Sequence, residues 1–185
     1  MAWQVGGFVL VSAAVLAVSW RSLARPRSHG FPRFFAWEAI AALFFINADS
    51  WWIDPFAWSQ LISWGLLVAS IVPVVWGSVL LARAGKPTSA RQAEDPSLFA
   101  FEATSQLVTT GIFRFIRHPL FSSLLLLAWG IFFKHPSLEG GALAVAATGF
   151  LIWAALADEV ECRVAFGQEY ENYLRRTKRF IPFVL

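Results

Sequence analysis

Two arginines and a histidine directly precede a strongly apolar segment that begins at Pro119. Arg114, Arg117 and His118 stand in the stretch TGIFRFIRHPLF. Proline is favoured in the first turn of a helix, so Pro119 predicts a helix start. Free backbone amides, an imidazole and a guanidinium then converge at the positive end of a helix dipole, which suits a carboxylate or a phosphate. The alternative is that both arginines only anchor the segment at the cytoplasmic membrane surface.

Three carboxylates, Asp158, Glu159 and Glu161, follow the last apolar segment of the sequence. Carboxylates so close to hydrocarbon are costly unless they are paired or functional. Asp158 and Glu161 are three residues apart and share a helix face, whereas Glu159 is expected to point toward Arg163, four residues on. One interpretation is a solvated helix with an internal ion pair. The other is a cytosolic pocket with cations on one wall and acids on the other, which would suit a zwitterion such as the amino-acid end of S-adenosylmethionine.

The composition is that of a polytopic membrane protein. The 185 residues are 57% hydrophobic and only 15% charged, and the mean hydropathy is +0.57. These values are too apolar for a soluble globule of this size. The formal charge of +3 does not imply a nucleic-acid partner. The single cysteine, Cys162, excludes an internal disulfide and a cysteine-based zinc cluster, and no metal is expected.

Five apolar segments meet or approach the roughly 20 residues that a membrane-spanning helix needs. They cover residues 3–20, 34–52, 59–82, 119–133 and 142–157. The last two are short and are separated by the turn KHPSLEGG, which predicts a tight helical hairpin. The tail is predicted to be helical to about Arg176, with a possible break at Gly167. We therefore expect an all-α membrane bundle in one domain, with a C-terminal cytosolic helix.

The distribution of Lys and Arg predicts the orientation of the chain. With five spans, 14 of the 15 Lys and Arg residues fall on one side, and only Lys134 falls on the other. The N-terminus is thus expected outside and the C-terminus in the cytoplasm. The first apolar segment is interpreted as a retained span, because its arginines follow it rather than precede it. An aromatic belt is expected from tryptophans near the span ends, namely Trp3, Trp20, Trp37, Trp51, Trp52, Trp58 and Trp64.

The order of two separated motifs resembles that of the integral-membrane methyltransferases. These include isoprenylcysteine carboxyl methyltransferase, its prokaryotic relatives and the phospholipid N-methyltransferases. The first motif is LVTTGIFRFIRHPLF, and the second is the acidic pair Asp158–Glu159 followed by FGQEYENYLRRTKRFIP. The resemblance covers residues 105–182, and residues 1–104 carry no matching signature. It implies a small helical bundle that binds S-adenosylmethionine in a cytosol-facing pocket between the last spans and the tail helix.

The resemblance also implies which residues contact the cofactor. They are Ser105, Gln106, Leu107, Val108, Phe113, Arg117, His118, Pro119, Leu120, Phe121, Asp158 and Glu159. This sequence departs from the family at five places. Asp158 stands at the first position of the family's Glu-Glu pair. Phe113 and Phe121 replace common tyrosines, and Ser123 stands where a glycine is usual. Ala154 stands where the prenylcysteine enzyme has an arginine, which disfavours a prenylcysteine carboxylate as the acceptor.

Methyl transfer would require little covalent chemistry from the protein, because the reaction is an in-line displacement. Its rate depends on positioning of the reactants and exclusion of water. A carboxylate or thiolate acceptor needs no base, whereas an ammonium must first lose a proton. The catalytic residue is left open among Arg117, Glu159 and Glu38. Glu38 lies inside the second span and either pairs with a nearby arginine or lines the acceptor path.

Four other polar residues are expected to lie outside the site. His29 and His135 fall in loops and are interpreted as bystanders, and Asp49 is interpreted as interfacial. Cys162 is expected to pack as a small hydrophobic residue. Asn47, also in the second span, is assigned no role.

The sequence thus predicts a five-span S-adenosylmethionine-dependent methyltransferase of the prokaryotic inner membrane, acting on a small or lipidic acceptor. One alternative is an NADPH-dependent membrane reductase of the sterol-reductase type, which carries a similar Arg-His-Pro block. The short chain and the acidic pair followed by FGQEY favour the methyltransferase. The other alternative is a non-catalytic membrane scaffold.

Overall fold

Helices form all of the regular secondary structure in residues 2–94 and 98–181, the part of the chain that the computed structural model describes. No strand occurs within these ranges, which confirms the all-α prediction. Pro182, the last residue of the predicted cofactor-binding segment, lies outside the described residues. The helices are α1 (Ala2–Leu23), α2 (Gly30–Ile46), α3 (Trp58–Ala84), α4 (Ser89–Glu94), α5 (Pro119–Phe132) and α6 (Leu138–Leu174), with 3-10 turns at Ala48–Ser50 and Gly111–Arg114.

Three of these helices, α1, α3 and α6, are long and apolar enough to cross a membrane. The other two segments expected to span are also helical but shorter. α5 has 14 residues, and α2 has 17 residues that include Arg33 and Glu38. Both fall below the roughly 20 residues of a typical span. Length and composition therefore support a membrane protein with at least these three spans, and the count of five stays a prediction.

The last apolar segment continues into the polar tail as one helix as far as Gly167, and a second helical stretch follows to Leu174; α6 comprises both stretches. From Leu138 to Phe166 the helix extends about 43 Å at 1.5 Å per residue, beyond the roughly 30 Å of bilayer hydrocarbon. The predicted break is present at Gly167, where φ is 53° and ψ is −129°. Glycine adopts this conformation at far less cost than other residues. Beyond the break Tyr173 is buried, and its hydroxyl donates to the carbonyl of Phe113 at 2.6 Å.

Small residues let the helices of the bundle approach one another closely. α5 packs against both α3 and α6, α2 packs on α6, and α1 packs mainly on α2. Gly130 on α5 faces Leu67, whose side chain would lie 2.9 Å from an added Cβ atom. Ala128, Ala144 and Ala147 are fully buried nearby. Close backbone approach of this kind is a main source of helix association in lipid.

Lys134, the one cation expected on the outer side, is buried rather than exposed in its loop. Its ammonium donates to Oε1 of Gln60 at 3.0 Å and lies 3.4 Å from the ring centre of Trp64 and 5.1 Å from that of Trp51. Two of the expected belt tryptophans therefore hold a cation by cation–π contact. Trp52 fits the belt better, because it is 76% exposed.

The chain after α6 returns to the start of α5 as a C-terminal strap, which we define as residues 175–181. Arg117 N donates to the carbonyl of Lys178 at 2.8 Å, and His118 N donates to that of Arg179 at 3.1 Å. The hydroxyl of Ser122 donates to the carbonyl of Phe180 at 3.0 Å. The strap therefore lies directly beside the Arg-His-Pro sequence and contributes residues to the same end of the molecule.

Candidate functional site

His118 and Asp158 meet where the N-terminus of α5 faces α6. His118 is the N-cap residue of α5 and Pro119 opens the helix, as the sequence predicts. Nδ1 of His118 lies 3.1 Å from Oδ2 of Asp158. Nε2 lies 3.5 Å from Glu159 but makes no hydrogen bond, although it is buried. The two motifs that the sequence analysis singled out are therefore in contact.

Glu159 is buried between two arginines. Oε1 of Glu159 accepts from Nε of Arg117 at 3.1 Å and from Nε of Arg179 at 2.9 Å. Arg117 also donates to the carbonyl oxygen of Thr177 in the strap. The expectation that Glu159 points toward Arg163 is wrong, because Arg163 pairs at 2.8 Å with Glu171 beyond the Gly167 break. Glu159 and these two arginines therefore contact each other directly.

His29 belongs to this cluster, so its interpretation as a bystander is wrong. Its Nδ1 lies 2.5 Å from Oε2 of Glu161, and its backbone amide donates to Oε1 of the same carboxylate at 2.8 Å. Asp158 is 4.0 Å from Nδ1. His29 immediately precedes α2 and is buried. Its partner is 132 positions away in the sequence, and no local pattern indicates such a contact.

Arg33 on α2 forms a second ion pair with Glu102 in the loop before α5. No sequence pattern indicated this pair. Nη1 of Arg33 lies 3.0 Å from Oε2 and 3.3 Å from Oε1 of Glu102. The amide of Phe99 donates to Oε2 at 3.0 Å. The guanidinium also lies 4.6 Å from the ring centre of Phe99 and 5.1 Å from that of Trp37. Arg33 is therefore held by a carboxylate and two aromatic rings.

These residues surround a central cavity of about 110 Å³. Seven of the residues implied by the resemblance line it: Phe113, Arg117, His118, Pro119, Leu120, Phe121 and Asp158. Four residues not predicted also line it, namely His29, Leu81, Leu98 and Glu102. The cavity thus combines both signs of charge with an apolar and aromatic wall.

The remaining implied residues do not line the central cavity. Leu107 and Val108 pack behind Phe113 in an apolar cluster with the two tyrosines of α6. Ser105 and Gln106 are exposed. Glu38 lies elsewhere. It accepts a hydrogen bond from Ser12 on α1 at 2.6 Å rather than from an arginine, and its place on an acceptor path stays a prediction.

Two larger spaces adjoin the central cavity. A polar groove of about 590 Å³ lies beyond the His29–Glu161 pair and is lined by Arg25, Arg27, Arg91, Glu94 and Glu161 among others. An apolar chamber of about 270 Å³ lies on the other side and shares Glu102, Leu120 and Phe121 with the central cavity. The His29–Glu161 and Arg33–Glu102 pairs therefore stand at the two boundaries of the central cavity.

The environment of the site raises the pKa of both buried histidines. Burial alone would lower the pKa of His118, but the hydrogen bond to Asp158 and the nearby carboxylate charges outweigh burial and raise it. The pKa of His29 is likewise lowered by burial and raised more strongly by the hydrogen bond to Glu161 and the charge of Asp158. In each case the carboxylate partner therefore stabilises the protonated form of the imidazole.

His29, Asp158 and Glu161 also have the residue types of a metal site. Their ligand atoms lie within 4.8 Å of one another. The two hydrogen bonds from His29 to Glu161 account for this proximity without an ion. The geometry therefore gives no reason to assign a metal here.

The fold and the site together define a helical membrane protein with a buried cluster of charged residues where α5 and α6 meet. The profile of the phospholipid methyltransferase family matches residues 67–164, and the chain belongs to this family. The matched range comprises 98 of the 185 residues. It contains Arg117, His118, Asp158 and Glu159, but neither α2 nor the C-terminal strap.

Two curated plant proteins are similar to this chain. Both are described as a probable protein-S-isoprenylcysteine O-methyltransferase, one from Oryza sativa subsp. indica and one from Oryza sativa subsp. japonica. Each is 26% identical over 128 residues, which cover 65% of this chain and 63% of the relative. The chain thus spans a little under two thirds of the length of these relatives. No solved structure matches the chain.

Proposed function

We propose that this protein transfers a methyl group from S-adenosylmethionine to a small or lipidic acceptor, with the cofactor bound in the central cavity. The observation that carries the proposal is the convergence of Arg117, His118 and Asp158 on one buried cavity. Both signs of charge are present there, as a zwitterionic ligand requires. Membership of a methyltransferase family supports the reaction class.

The polar residues fit the amino-acid end of the cofactor. Arg117 and His118 would hold its carboxylate, because both are cationic donors and charge-assisted hydrogen bonds are the strong ones. Asp158 would accept from its ammonium. Nε2 of His118 is buried without a hydrogen-bond partner, and buried polar atoms of this kind call for one. A ligand oxygen would supply it.

The apolar wall fits the rest of the cofactor. Phe113 and Phe121 are buried and line the cavity, so they would contact the adenine ring, since flat rings pack well against one another. Leu107 and Val108 would support Phe113 from behind rather than touch the cofactor. The loss of two tyrosine hydroxyls at 113 and 121 leaves ring packing intact.

The central cavity has to widen to accept a cofactor. Its volume of about 110 Å³ is below the roughly 300–1,000 Å³ typical of ligand sites. The His29–Glu161 pair separates it from the polar groove, the space from which a water-soluble ligand would enter. Separation of this pair would join the two spaces and provide the missing volume.

The bound cofactor would supply an electrophilic methyl group. The protein would orient the reactants and exclude water from the cavity. Arg117 would act as a binding residue, and Glu159 as the residue that positions it, because Glu159 accepts hydrogen bonds from Arg117 at 3.0 and 3.1 Å. Burial of the cavity between α5, α6 and the strap would exclude water from the reacting groups. Orientation in such a site supplies much of the rate enhancement of a displacement.

Calorimetric titration of the purified protein with S-adenosylmethionine, S-adenosylhomocysteine and NADPH tests this proposal. We expect saturable binding of the first two ligands and none of NADPH. Preferential NADPH binding would instead favour reductase chemistry. Failure of all three ligands to bind a folded sample would favour a non-catalytic scaffold.

A further inference from the structure

A polar hollow of about 630 Å³ lies between the 3-10 turn at Gly111–Arg114, the part of α6 beyond Gly167 and the C-terminal strap. Its lining consists of Thr109, Arg114, Glu169, Asn172, Tyr173, Arg176 and Thr177. Two distant parts of the chain therefore contribute polar side chains to one space.

This hollow is separate from the central cavity. None of the described residues that line the hollow also lines the cavity. Tyr173 and Thr177 stand between the two spaces, because the hydroxyl of Tyr173 donates to the carbonyl of Phe113 and the carbonyl of Thr177 accepts from Arg117. A ligand in the hollow would therefore contact the outer side of the proposed cofactor site without reaching the cofactor.

The charges in the hollow favour an anion. Arg114 and Arg176 are exposed, and neither forms an ion pair with a carboxylate in the described part of the chain. Glu169 is the one carboxylate among the described lining residues, so the lining has an excess of one positive charge. The hydroxyl of Thr109 and the amide of Asn172 add neutral donors. An anion with several acceptor oxygens matches this set of side chains.

The hollow also lies at the level of the membrane surface. An added Cβ on Gly111 would lie 2.6 Å from Leu80 and 3.1 Å from Trp76, so the turn that carries Arg114 packs on the last turns of α3. The 27 residues of α3 extend about 40 Å, so a centred α3 would project about 5 Å beyond the hydrocarbon at each end. Trp76 is 47% exposed and lies about 12 Å before the end of α3 at Ala84. Tryptophan at this depth is typical of the membrane interface, where lipid phosphates lie.

We propose that the polar hollow binds the headgroup of an anionic phospholipid, with the phosphate held between Arg114 and Arg176. Guanidinium groups bind phosphate oxygens through charge-assisted hydrogen bonds, which are the strong ones. The acyl chains would extend along the face of α3 that carries Val72, Trp76 and Val79, which are 40–56% exposed.

This lipid is a bound ligand and not the methyl acceptor, because Tyr173 and Thr177 separate it from the cavity. Arg176 belongs to the strap, and Arg114 belongs to the turn before α5. One phosphate would therefore join the two segments that meet where Arg117 N donates to the carbonyl of Lys178. Binding to the folded protein alone raises the melting temperature by mass action.

Titration of the full chain in a non-ionic detergent, without cofactor, tests the inference. The probes are dioleoylphosphatidylglycerol, dioleoylphosphatidylcholine and inorganic phosphate, and the readouts are the melting temperature and the number of retained lipids in native mass spectrometry. We expect saturable binding of one phosphatidylglycerol. Phosphatidylcholine, whose headgroup has no net charge, and inorganic phosphate, which lacks acyl chains, should each bind at least about tenfold more weakly. Equal binding of phosphatidylcholine, equal binding of inorganic phosphate, or no saturable lipid binding would overturn the inference.

Two charge-matched double variants separate a built site from a general attraction to positive charge. Arg114→Gln/Arg176→Gln should weaken phosphatidylglycerol binding at least about tenfold, because both charge-assisted contacts are lost. Arg83→Gln/Arg175→Gln removes the same charge from exposed positions that do not line the hollow, so its binding should stay within about threefold of the wild type. Equal weakening in both variants, or undiminished binding in the first, would overturn the site. Because no cofactor is present, these results do not depend on the proposed function, which fails only if the protein binds no S-adenosylmethionine.

Discussion

The backbone amide of Arg33 donates to the carbonyl of His29 at 3.2 Å, so a single turn at the start of α2 carries both cations that bound the central cavity. His29 holds Glu161 at the polar groove, and Arg33 holds Glu102 at the apolar chamber. A shift of this one turn would therefore alter both boundaries. In the proposed function, the cofactor would enter on the side of this turn that faces the polar groove.

The carboxylates of α6 should differ in their effect on ligand binding. Asp158→Asn and Glu159→Gln should each reduce the thermal stabilisation produced by S-adenosylhomocysteine, because the first removes a cavity-lining charge and the second releases Arg117. Glu161→Gln should keep a ligand-induced shift at least as large as that of the wild type, because cofactor entry already requires the His29–Glu161 pair to separate. It should still lower the melting temperature of the ligand-free protein, because a buried histidine loses its partner.

The measurement for these variants is the melting temperature with and without ligand, since the shift follows affinity by mass action. If Asp158→Asn and Glu159→Gln both keep the full ligand-induced shift in melting temperature, neither carboxylate belongs to the cofactor site.

Stability should depend on pH through His29. The pKa of His29 is raised in the folded protein above its ordinary value of 6.5. The resulting stabilisation is fully present below about pH 6.5 and is lost as the pH rises through the raised pKa. The melting temperature of the ligand-free protein should therefore fall as the pH rises from about 6 to 9, and His29→Asn should flatten that fall. His135→Asn, at an exposed histidine, should leave the profile unchanged. Identical profiles for His29→Asn and the wild type would contradict the pairing with Glu161.

The break in α6 should make Gly167 sensitive to substitution although space around it is open. No atom lies within 4 Å of an added Cβ at Gly167 or at Gly149 in the same helix. Gly167 has a φ of +53°, which other residues adopt at a cost of about 1–3 kcal/mol, whereas Gly149 is helical. Gly167→Ala should therefore lower the free energy of unfolding by about that amount. Gly149→Ala should be neutral or slightly stabilising, and an equal loss in both variants would argue against backbone strain.

Lys and Arg cluster at the end of the molecule that holds the site, so we propose that this end faces the cytoplasm. In a Cys162→Ser background, Ala24→Cys should resist a membrane-impermeant thiol reagent in intact cells, whereas Phe56→Cys should react. Both positions are exposed, so protection would reflect sidedness rather than burial. Ser28 would be a poor probe because it is buried. Reaction at Ala24→Cys but not at Phe56→Cys would reverse the orientation.

Local patterns were sufficient to predict the helical fold, the start of α5 and the break in α6. Pro119 marks the start of α5, and Gly167 marks the break in α6. Both features could be predicted because each depends on the backbone preference of a single residue. His118 and Asp158 were predicted to share a site through the resemblance of their two motifs to one family. That prediction needed no knowledge of side-chain partners.

The partners of the charged residues could not be predicted, because each choice depends on how distant segments pack. Arg33 and Glu102 are 69 positions apart. Arg163 and Glu159 have the spacing of a helical ion pair, yet the Gly167 break brings Glu171 to Arg163, and the strap brings Arg179 to Glu159. Local spacing indicates which contacts a helix permits, and the tertiary fold selects among them.

Calorimetric titration with S-adenosylmethionine of the wild type, His118→Ala and the control His135→Ala tests the central claim most directly. Hydrogen bonds to charged groups contribute roughly 1.5–3 kcal/mol, so His118→Ala should bind about tenfold to a hundredfold more weakly, while His135→Ala should bind as the wild type does. Equal affinity of a folded His118→Ala variant and the wild type would contradict the assignment of the central cavity as the cofactor site.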